Sequence, residues 1–134
     1  MELARVGVAL LVLSTLGGTA LLVLWARAAR TRDRKVDAGA QALHAGLGIS
    51  AIAIWWGYTS GADEMGAARV VVVVLLAGLL LAGLFQLKAY RDARSEDEYG
   101  EKFAETAIPL MHVAGHVLFG IAAIAVVVIA AVRG

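Results

Sequence analysis

The chain has 134 residues, 60% of them hydrophobic and only 17% charged, with a formal net charge of +1 and no cysteine. A soluble domain this small does not carry so much apolar surface, so the composition predicts an integral membrane protein. The missing cysteines exclude disulfides, iron–sulfur clusters, thiolate nucleophiles and c-type haem attachment, and no basic patch interleaved with aromatics points to nucleic acid.

Four apolar runs follow one another, each near the ~20 residues a helix needs to cross ~30 Å of hydrocarbon. The first covers about residues 4–25. It is too long for a secretory leader and has no basic stretch before it, so it is expected to stay as a helix. Arg27, Arg30, Arg32, Arg34 and Lys35 crowd the connection after it. The second run, about 38–58, carries His44 and ends in Trp55, Trp56 and Tyr58, residue types that suit a membrane interface. The third, about 68–87, opens with valines that would suit a strand in water. In lipid the backbone has to satisfy its own hydrogen bonds, so a run of this length is read as helix.

The connection before the fourth run mixes acidic and basic residues at helical spacing from Asp92 to Glu105. It is read as a solvated helix extension whose charges form a wet face. Trp25, Tyr90, Tyr99 and Phe103 are expected at the interface on this side. Pro109 stands near the start of the fourth run, about 107–132, and suits a helix start. The expected architecture is all-α: one domain, residues 1–134, of four transmembrane helices.

Lys88, Arg91, Arg94 and Lys102 lie in the third connection, so nine of the twelve basic residues fall in connections one and three. Only Arg5, Arg69 and Arg133 lie on the opposite side. Basic residues near helix ends stay in the cytoplasm, which predicts a multi-pass protein of a bacterial-type plasma membrane with both termini outside.

The two halves share a pattern. His44 opens a segment and His116 opens another, and both read H-x-x-x-G-I-x-A-I-A. Helices one and three also end alike, Leu24-Trp25-Ala26 against Leu87-Lys88-Ala89. The match predicts two tandem helical hairpins related by a pseudo-twofold axis along the membrane normal, with His44 and His116 at equal depth. His44 precedes Tyr58 by ~21 Å at ~1.5 Å per residue, which places the pair in the half of the membrane nearest the basic connections.

An ionisable ring inside a membrane helix is a functional hypothesis. Two imidazoles at one depth suit the axial positions of a b-type haem. Gly48 and Gly120 lie one turn from each histidine on the same helix face and leave room for a flat ring. Gly46 and Gly115 would widen the slot. Arg34 and Lys35, with Arg30, are placed to pair with propionates at the near rim. This layout resembles small four-helix membrane cytochromes with bis-histidine haem, a likeness of layout that rests on no family motif.

A second reading is a metal site of His44, His116 and His112, the last two spaced i, i+4 on one helix. A third is a non-catalytic membrane subunit or assembly factor whose histidines, with Gln41 and Gln86, only pack between helices. Gly78-x-x-x-Ala82 and Ser14-x-x-x-Gly18 read as such packing. The favoured expectation is a haem-b electron carrier, more a subunit than a free-standing enzyme, working with a redox partner or quinone. A homo-oligomer is compatible with it.

Overall fold

The computed structural model describes residues 2–61 and 66–133. Four helices follow in order: α1 (Glu2–Ala28), α2 (Ala38–Thr59), α3 (Ala67–Glu96) and α4 (Leu110–Arg133). All four are long and apolar enough to cross a membrane. A 3-10 turn, Glu105–Ala107, stands before α4.

The helix ends have local causes. The Asp37 carboxylate caps α2 by accepting the Ala40 N–H at 2.9 Å. Pro109 immediately precedes α4, and its carbonyl accepts the N–H groups of His112 and Val113 at 3.0 and 3.3 Å. α3 runs on to Glu96, well past the expected apolar limit at 87. Its last turns are built of helix-favouring Lys, Ala and Arg and carry an i, i+4 ion pair from Lys88 to Asp92.

The helices form a ring in which chain neighbours are also spatial neighbours. α1 packs most extensively against α4, and α2 against α3; α1 with α2 is looser, and α3 with α4 loosest. The tight seams therefore join the two hairpins to each other.

The pseudo-twofold is visible in burial. With His44 set on His116, Ala51 coincides with Ala123 and Trp55 with Val127, all four fully buried. On the other pair of helices one shift superposes buried Leu11 on Leu76 and buried Trp25 on Tyr90. The expected match of Trp25 with Lys88 is two residues out of register, because Lys88 is exposed. What repeats is the buried face, not the run of adjacent letters.

Two clusters make the core. One, toward the chain termini, is built on Leu11, Trp55, Val72, Leu76 and Val127. The other, toward the long connections, is built on Trp25, Tyr90, Ala104, Ile108 and Val113. Several aromatics expected at the interfaces are core residues. Trp55 is fully buried, donates its indole N–H to the Ala4 carbonyl at 3.0 Å and stacks on Tyr58. Trp25, Tyr90 and Phe103 are buried as well, whereas Trp56 and Tyr99 stay exposed. An indole or phenol that finds an internal acceptor has no need of the interface.

The two basic connections are tied together. The Asp33 N–H donates to the Lys102 carbonyl at 3.0 Å, and the Ala104 N–H to the Asp33 carbonyl at 2.8 Å. The reading of residues 92–105 as a plain wet face fails at two positions, Asp97 and Glu105, which are both buried. Asp97 accepts from the N–H groups of Glu101, Lys102 and Phe103 and from the Thr106 hydroxyl. Burial pushes its carboxyl up, but the hydrogen bonds, led by that from Phe103, outweigh this and hold it below the usual carboxylate range.

Candidate functional site

Between the two core clusters lies a cavity of ≈ 230 Å³ lined by all four helices. His44 enters it from α2 and His116 from α4, helices diagonally opposite in the ring. Their ring centres are 6.1 Å apart and their planes are inclined at 74°. The expected juxtaposition of the two imidazoles is therefore present.

Each imidazole lies against a glycine of the other hairpin. A Cβ at Gly18 of α1 would fall 2.9 Å from His116 Cε1, and one at Gly83 of α3 would fall 3.3 Å from His44 Cε1. Gly48 and Gly120 also line the cavity, so every helix contributes one glycine to it. Gly18 and Gly83 are the symmetric counterparts that sequence reasoning missed. In the sequence Gly18 reads as plain packing, and Gly83 stands in no distinctive motif. The register that superposes Leu11 on Leu76 also superposes Gly18 on Gly83. Gly46 and Gly115 do not widen the slot: a Cβ at either would meet nothing within 4 Å, and neither lines the cavity.

Hydrogen bonding sets the state of one ring. His116 Nδ1 lies 3.0 Å from the Ser14 carbonyl oxygen. A carbonyl only accepts, so Nδ1 carries a proton, and in the neutral ring Nε2 keeps its lone pair. Metal-bound histidines are commonly held this way, by a backbone carbonyl on the other ring nitrogen. His44 Nδ1 is buried and has no hydrogen-bond partner.

His112 is exposed on α4. Among the described residues no group of three His, Cys, Asp or Glu side chains is placed to hold a metal ion. The three-imidazole set is not assembled, because the side chain at the first turn of α4 faces away from the cavity. Arg34 is exposed, and the Lys35 ammonium pairs with Glu96 at 2.6 Å and lies over the Phe103 ring; neither residue lines the cavity. Gln41 and Gln86 do line it, and Gln86 donates to the Ala40 carbonyl at 3.3 Å.

One further residue was missed. Glu105 reaches the cavity from the 3-10 turn. Its Oε1 accepts the Trp25 indole N–H and the backbone N–H groups of Lys35 and Val36, at 3.0, 3.1 and 3.0 Å. The sequence signal for it was faint: an acidic residue next to an apolar run, after a stretch of other acids.

Comparison of the chain with family models, with curated proteins and with solved structures returned no match.

Proposed function

We propose that the protein binds one b-type haem between His44 and His116 and serves as a membrane electron carrier, exchanging electrons with a redox-partner subunit or with quinone. The observation that carries this reading is the imidazole pair itself, 6.1 Å between ring centres. At that separation His44 and His116 would be able to hold one haem iron between them, each through a ring nitrogen. The free Nε2 of His116 and the glycine on each helix support the same reading. The cofactor supplies reversible one-electron chemistry; His44 and His116 hold it, and Gly18, Gly48, Gly83 and Gly120 leave it space. Arg34 and Lys35 remain candidates for propionate contact only through rearrangement of the Lys35–Glu96 pair. A single haem nearer one face cannot carry electrons across the bilayer alone, hence the partner or quinone.

The test is the visible spectrum of the full chain, purified after expression with ample haem. Sharp low-spin bands are expected on reduction. His44→Ala and His116→Ala should each abolish them, and His112→Ala should leave them. A colourless wild-type protein would remove the haem reading and leave the histidines a packing role.

A further inference from the structure

We propose that Glu105 is the counter-charge of the cavity, favouring the cationic, ferric state of a haem held by His44 and His116 and so lowering its reduction potential. This rests on the haem reading above. Glu105 is only 3% exposed. The three N–H donors that converge on Oε1 form charge-assisted bonds and fix the carboxylate in place. Its Oε2 is buried without a hydrogen-bond partner, and the residue borders the cavity.

Among the described residues no cation answers it there. The cavity lining contains neither lysine nor arginine. The nearby Lys35 ammonium is held by Glu96, and Arg32 donates to the Gly100 carbonyl. A buried carboxylate without a positive partner is costly. A b-type haem with two neutral imidazoles carries one net positive charge at its iron–porphyrin core when ferric and none when ferrous. It therefore supplies the missing charge in one redox state only. Val36, whose N–H helps hold Glu105, lies just before the Asp37 cap of the helix that carries His44. For a charge on the order of 12 Å from the iron and an effective dielectric constant of ~20, the ferric-to-ferrous balance would change about tenfold.

The experiment is a potentiometric titration of the haem-loaded full chain, followed in its visible bands, for wild type, Glu105→Gln and Glu105→Asp. Gln keeps an oxygen for the three N–H donors and removes the charge. At a fixed ambient potential the ferric-to-ferrous ratio should fall about tenfold in the Gln variant. The Asp variant, with its charge drawn back by one methylene, should fall between Gln and wild type. An unchanged or raised ratio in the Gln variant overturns the role of Glu105 while the haem reading stands. If the Gln variant does not accumulate, the Asp variant decides, and a ratio no lower than wild type overturns the proposal. A wild-type protein that shows no low-spin bands overturns both.

Discussion

A methyl group added at Gly18 would sit 2.9 Å from Cε1 of His116, well inside the normal ~3.5 Å contact of carbon atoms. The ring cannot yield freely, because its Nδ1–H is tied to the Ser14 carbonyl. Gly18→Ala should therefore displace His116, break that bond and cost about 1–3 kcal/mol of stability. The expected readouts are a lower unfolding temperature in detergent and weakened low-spin bands. Gly83→Ala, with 3.3 Å to His44 Cε1, should act in the same direction but less. Gly115→Ala points into open space and should be neutral. If Gly18→Ala and Gly115→Ala behave alike, the close approach of α1 to His116 is not what holds the ring.

At the scale of elements, the segment after α3 depends on one carboxylate. Asp97 gathers three backbone N–H groups and the Thr106 hydroxyl, and the loop it closes places Phe103 and Ala104 against Asp33. Its carboxyl is held below the ordinary range, so its contribution is complete above the unfolded value of about 3.9. That contribution is lost as pH falls through the lower folded value. Hydrogen–deuterium exchange at Glu101, Lys102 and Phe103, corrected for intrinsic rates, should stay slow from neutral pH down to about 4 and accelerate only below it. Asp97→Asn should show faster exchange at all pH values. Acceleration of the wild type already near pH 6 would mean that another group controls the loop.

At the scale of the molecule, nine basic residues of twelve lie on the side of the two tied connections. The proposed orientation sets that side in the cytoplasm, with the termini outside. Reporter fusions at Arg34 and at Glu98 should both read as cytoplasmic, and an external signal from either reverses the orientation. The histidine pair and Glu105 would then share the cytoplasmic half. On that side the Asp33–Phe103 pairing ties the two basic connections, and of the four seams the one between α3 and α4 is the loosest.

The sequence by itself determined the four spans, the place of Pro109 at a helix start and the pairing of His44 with His116. Each follows from a local rule: apolar length against membrane thickness, proline at a helix start, and the motif H-x-x-x-G-I-x-A-I-A that recurs from each histidine. Only the tertiary structure decided which glycines back the imidazoles, because Gly18 and Gly83 meet rings from helices distant in sequence. It decided that His112 stands outside the pair, since the i, i+4 spacing alone does not say which way the first turn of α4 faces. It also decided that Asp97 and Glu105 are buried among their hydrogen bonds while neighbouring acids are wet. Charge patterning is blind to that difference. A carboxylate is drawn inside only where the fold gathers free N–H groups, and those come here from α1, from the first connection and from the loop itself.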